Sequence, residues 1–180
     1  MKKKATLIAL LFLGLIACDK DDPAPIKVED VQGDYTGKVI TTQGTKKVET
    51  STGATAKNNV LTFSELPVRQ LVLSVLKDSV KTDAALKTIG KVKYELNYTP
   101  KVNAGNTAVD LTFAPKALEV TVPVEGANKK VVVTFEAKSA GSYKNKVLKA
   151  DMEAVKITVD GTQVTPFDKI VYSIPSFTKK

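Results

Sequence analysis

The sequence predicts a mainly β domain, an antiparallel sandwich or barrel, with a helical insertion at about residues 66–89. Three observations carry this. From Lys91 onward apolar residues recur at every second position, in short runs closed by Pro, Gly or Asn. Each run has one apolar and one polar face, as antiparallel strands do when their outer face meets water; parallel strands are apolar on both faces. Only between Val68 and Leu76 does the period change. There Val68, Leu71, Val72, Val75 and Leu76 fall at i, i+3, i+4, i+7 and i+8, one face of a helix.

Taken in order, Val28 to Gly33 lead into a first strand over Asp34–Thr42, rich in Thr, Val, Ile and Tyr. Residues 45–59 are polar and read as an irregular hairpin, and Val60–Phe63 as a short strand. Pro67 suits the first turn of the helix, where its missing N–H costs nothing, and Lys77 suits the last. Thr82 is the expected cap of a second helix over Asp83–Ile89, stopped by Gly90. Val92, Tyr94, Leu96 and Tyr98 alternate up to Pro100, and Val109, Leu111 and Phe113 up to Pro115. Leu118 to Val124 and Val131 to Ala137 form two more strands around a turn at 125–128, and Ser139 to Lys146 read as a loop. Val147–Met152 and Val155–Val159 read as two strands, followed by Asp160-Gly161, a strong two-residue hairpin signal. Thr162–Thr165 and a strand through Ile170, Tyr172 and Ile174, ended by Pro175, complete nine or ten strands.

The N-terminus has a different character. Lys2, Lys3 and Lys4 precede an uncharged run of 13 residues, Ala5 to Ala17. That is short of the roughly 20 residues a membrane-spanning helix needs, and it has the layout of a secretory signal. Leu15-Ile16-Ala17-Cys18 resembles the lipobox of bacterial lipoproteins. In that family the signal is cut before the cysteine, which receives a diacylglyceryl group and palmitate-type chains. The alternative is an ordinary secretory signal beside a chance cysteine, which would leave a lone thiol in an exported protein. Lys20-Asp21-Asp22 resembles the export tag that sends Bacteroidetes-type lipoproteins to the outer face of the outer membrane; the plainer reading is a solvated acidic tether with periplasm-facing attachment. The expected organisation is a signal over 1–17, a lipidated tether over 18–27, and one β-rich domain over 28–180.

Composition bounds the function. Loss of residues 1–17 removes three lysines, so 27 basic residues become 24 against 19 acids, and net charge falls from +8 to +5. Arg69 is the only arginine; nucleic-acid sites favour its planar, bidentate donors, so no nucleic-acid partner is expected. The chain has no His, no Trp and one Cys, which excludes His-dependent triads, His or Cys zinc sites and internal disulfides. No metal and no cofactor are expected.

Further stretches carry a resemblance. Gly33-Asp34-Tyr35-Thr36-Gly37-Lys38 is similar to the opening strand of exported domains that include calycin-like barrels. Together with Leu61-Thr62-Phe63-Ser64-Glu65-Leu66-Pro67-Val68 and Gly90-Lys91-Val92-Lys93-Tyr94-Glu95-Leu96-Asn97-Tyr98, the chain resembles a Bacteroidetes-type surface lipoprotein family of unknown function. The resemblance implies an all-β domain with a helical insertion, a calycin-like β-barrel or a sandwich, and carries over no catalytic residue.

Three functions are weighed. The first is a non-catalytic binding or accessory lipoprotein at the cell surface, held to the membrane by its lipid and touching a glycan, a host protein or an outer-membrane complex. The second is a carrier with a small apolar ligand in the barrel mouth. The third is a glycoside hydrolase built on carboxylates: Asp151 with Glu153, which share a strand face, or Asp110 with Glu119. Glycan stacking would fall to Tyr35, Tyr94, Tyr98, Tyr143 or Tyr172, of which Tyr143 is expected to be exposed. The alternating positions are filled by large residues, so a solid core is expected. Contacts should then fall to the loops Lys101 to Thr107 and Ser139 to Lys146.

Overall fold

The computed structural model describes residues 24–180. A 3-10 turn over Val28–Val31 leads into β1, Gly33–Gln43. It is followed by β2, Lys46–Lys57, and β3, Val60–Phe63. Helices α1, Arg69–Leu76, and α2, Ser79–Ile89, come next. The remaining strands are β4 (Tyr94–Val102), β5 (Val109–Pro115), β6 (Leu118–Val124), β7 (Ala127–Ala137), β8 (Gly141–Lys144), β9 (Val147–Val159), β10 (Thr162–Gln163) and β11 (Ile170–Lys179).

Eight of these strands close a ring, in the order β11, β1, β2, β3, β4, β5, β8, β9, with β9 pairing back onto β11. All its pairings are antiparallel. The choice left open by the sequence is therefore settled as a closed barrel, an architecture consistent with a calycin-like fold. One edge of β9 is divided. Its first residues, Val147–Lys149, pair with β8, and Met152–Val159 pair with β7, which carries β6 on its far side.

The helices close one barrel end. Leu71 and Val72 are buried, and Ser74 accepts a 3.0 Å hydrogen bond from Gln43 Nε2 at the end of β1. Gln43 also donates to the Asp168 carbonyl at 3.1 Å, and the Tyr172 hydroxyl donates to the Pro67 carbonyl at 3.1 Å. The amphipathic face is thus spent on the barrel end.

Several local expectations are corrected. Residues 46–57 are a continuous strand, not a ragged hairpin, because β1 pairs with all of β2 and β3 holds its second half. Helix α1 starts at Arg69, after Pro67, and Lys77 is a left-handed C-cap at φ 55. The cap of α2 is Asp78, whose side chain accepts from Lys81 N at 2.9 Å; Thr82 lies inside the helix, buried. Pro100 does not end β4. It pairs with Leu111 of β5, and β3 reaches no further than Asn97, so one edge of β4 is free there and tolerates a missing N–H. Pro175 sits within β11 at a bulge between Ile174 and Phe177. The two strands read from 147 to 159 are one, β9. Its inward set shifts from Leu148, Ala150, Met152 and Ala154 to Ile157 because a bulge against β7 skips a residue. The stretch 139–146 contains β8, a strand of four residues.

Candidate functional site

A carrier would need room inside the barrel. The interior is instead crossed by packed rings. Phe177 lies 5.9 Å from Phe63, Phe63 6.3 Å from Tyr94, Tyr94 5.1 Å from Phe135, and Phe135 5.6 Å from Tyr172, centroid to centroid. These spacings are those of edge and offset aromatic contacts. The phenols reach backbone carbonyls: Tyr35 donates to Val31, and Tyr94 to Lys116 at 2.9 Å. Burial pushes the Tyr35, Tyr94 and Tyr172 phenols far above their ordinary value, and raises Tyr98 and Tyr143 as well. At the helix-capped end the buried Thr41 hydroxyl and both amide atoms of Gln70 find no protein partner, which makes that end polar.

Tyr143, expected at the surface, is 5% exposed. It lies in β8 and points inward, edge-on to Tyr35 at 6.4 Å. All five tyrosines are buried, so none offers a free stacking face to a sugar.

The carboxylate pairs fare differently. Asp151 and Glu153 do share a face of β9, but neighbours hold each one. Asp151 accepts from the hydroxyls of Ser173 and, at 3.2 Å, Ser139, while Glu153 pairs with Lys169 at 3.0 Å. Glu119 pairs with Lys130 at 2.9 Å on β6 and β7, and Asp110 lies on β5, which pairs with β4 and β8. Among the described residues no group of three His, Cys, Asp or Glu is placed to hold a metal ion. Cys18, Lys20, Asp21 and Asp22 lie outside the described residues.

The two loops singled out by the sequence do converge. They meet in a cleft of about 660 Å³ at the barrel end opposite the helices. Asn106 and Thr107 come from the loop between β4 and β5. That loop is set by Asn103, whose side-chain oxygen accepts from Thr107 N at 2.9 Å and Ala108 N at 3.3 Å. Lys144 ends β8, Lys146 lies in the turn between β8 and β9, and Lys179 and Lys180 come from the end of β11. Ala24 and Ile26, where the tether enters the domain, complete one wall.

Lys179 fixes this corner. Its Nζ donates to the Asp30 carbonyl at 2.8 Å and lies 6.0 Å over the Tyr143 ring, and its stem crosses Gly33. Lys144, Lys146 and Lys180 are exposed, and among the described residues none of them pairs with a carboxylate. Asp30 is the one acid in the lining. Four amines around one cleft can hold an anion.

The sequence reading chose these loops but missed the lysines. A local signal existed in Lys144-Asn145-Lys146, a tight turn with positive φ at Asn145 (51) and Lys146 (64). Nothing local could have brought Lys179 and Lys180 to it, since that depends on β9 pairing with β11.

No curated protein and no solved structure matches the chain. A family model does, from the 3-10 turn through the end of β9. With residues 30–159 matched, the chain belongs to the family described as Domain of unknown function (DUF4840).

Proposed function

We propose that the protein is a non-catalytic binding or accessory lipoprotein, anchored through an acylated Cys18 and displayed on the outer face of the outer membrane. In this reading its family is a Bacteroidetes-type surface lipoprotein family. The observation that carries the binding part is the filled barrel. Aromatic contacts of 5.1–6.3 Å leave the interior to side chains, so recognition falls to the outer surface, where the two loops meet in a cleft. The anchor part rests on Leu15 to Cys18 behind a short apolar run. Each buried methylene of an acyl chain contributes about 0.8 kcal/mol, so two or more chains make the attachment stable.

Mass spectrometry of protein extracted from its own membranes should find an N-terminal peptide that begins at an acylated Cys18. A soluble protein with a free thiol at that position sinks the anchor.

Display is tested separately. Replacing Lys20, Asp21 and Asp22 together with Ala should turn a protein cleaved by protease added to intact cells into a protected one. Equal cleavage before and after leaves the three residues as a passive tether.

A further inference from the structure

The cleft lies where the tether enters the domain, and that position limits what it can meet. Cys18 precedes Ala24 by only six residues, and a fully extended chain covers at most about 3.6 Å per residue, so the tether reaches about 20 Å. The barrel is longer than that. β1 alone runs for 11 residues from the cleft end to the helix end, about 35 Å along the strand. At the usual tilt of barrel strands this leaves more than about 25 Å of height. A tether anchored at Cys18 therefore cannot let the helix end rest on the membrane. Of the two barrel ends, the one within the tether's reach of the lipid is the one that carries Lys144, Lys146, Lys179 and Lys180.

The turn between β8 and β9 puts one of these lysines at its tip. Its second residue, Lys146, has positive φ (64), at a place where Glu125-Gly126 and Asp160-Gly161 have glycine and Asn58-Asn59 has asparagine.

We propose that this lysine-rimmed end is a membrane-docking surface, which takes the phosphates of anionic lipid headgroups in the bilayer that holds the anchor. Its orientation rests on the anchor reading above; its chemistry does not. Lysines suit the task because the ammonium is a mobile point charge that follows a fluid array of phosphates, whereas a fixed bidentate site would call for arginine. Clustered basic residues near a membrane surface add attraction per residue, and the effect fades within a Debye length, about 8 Å at physiological salt. Docked in this way, the barrel stands on its cleft end and presents α1, α2 and the turn between β1 and β2 outward.

The test uses the chain from residue 18 with Cys18→Ser, which keeps every described residue as well as Asp21 and Asp22. Tether acids that neutralise the lysines would then show as a failure to bind. Cosedimentation is measured with vesicles of phosphatidylcholine, with and without phosphatidylglycerol. Binding is expected to be at least about tenfold stronger with the anionic lipid and to weaken as salt is raised. The triple variant Lys144→Gln, Lys146→Gln, Lys180→Gln should lose about tenfold or more. A control that removes the same charge at the other end, Lys46→Gln, Lys47→Gln, Lys87→Gln, should lose about twofold or less. All six side chains are exposed, so both variants are expected to melt as the parent does. No preference for the anionic vesicles, or losses in the two variants within about threefold of each other, overturns the proposal. Neither result bears on acylation of Cys18, which is read by mass spectrometry alone.

Discussion

Replacing Gly141 with alanine is expected to destabilise the domain by about 3 kcal/mol, the upper part of the range for overpacking a filled core. Gly141 opens β8 and is buried where the barrel wall passes from β5 to β9. A Cβ there would lie 2.2 Å from Phe113 Cε2 and 2.5 Å from the Lys149 carbonyl oxygen. A side-chain clash alone could be relieved by a rotamer change. The carbonyl cannot turn away, because Lys149 pairs with Ser142 of the same strand. The wall must move, and β8 is the only strand that joins β5 to β9 in the ring. Gly126 is the control: a Cβ there meets nothing within 4 Å, but its φ of +82 makes alanine costly through the backbone alone, by about 1 kcal/mol. Urea titration measures both. Gly141→Ala no worse than Gly126→Ala would mean that the wall is softer than its packing shows.

Alkaline solution is expected to unfold the protein steeply from about pH 11 upward. Tyr35, Tyr94 and Tyr172 have phenols raised by burial far beyond the ordinary value of 10, and Tyr98 and Tyr143 are raised too. Above pH 10 the unfolded chain releases these protons while the native chain keeps them. The native state then binds more protons, so stability falls as pH rises. Each phenol that stays protonated contributes about 1.4 kcal/mol of loss per pH unit. Three such groups give about 4 kcal/mol per unit, which exhausts a domain stability of about 5–15 kcal/mol within a few units. With no histidine in the chain, little should change between pH 6 and 9. Phenolate absorbance and circular dichroism, followed together, should change in one coincident step. Smooth phenolate formation near pH 10 with the fold intact would contradict the burial of these rings.

The strands that were legible in the sequence are those whose two faces differ. Val109, Leu111 and Phe113 are buried between exposed Asp110 and Thr112, and alternation alone located β5. β2 was not legible because its first residues, Lys46 to Glu49, are exposed on both faces, and only Ala54 and Ala56 near its far end are buried. β8 is too short for alternation to register; its buried pair is Gly141 and Tyr143, and glycine carries no hydropathic signal. Closure as a barrel was illegible for another reason. It depends on β11 finding both β1 and β9, pairings set by shape over long sequence separations rather than by any local pattern. The cleft shares that limit. Its loops could be named from polarity and position, but its charge comes from lysines that only this closure collects.

The pairing of β1 with β11 also has a consequence in time. Tyr35 lies opposite Lys179, so the ring joins the start of the domain to its last strand. A growing chain, lengthening by roughly 5–20 residues per second, cannot close this barrel until β11 has been made. Contacts of such sequence separation also form slowly, because the loop must be closed before any pairing rewards it. Until then the row from β1 through β2, β3, β4, β5 and β8 to β9 stays an open sheet, with the outer edge of β1 unpaired. A topology that forbids early completion keeps the polypeptide threadable until its final strand has been made.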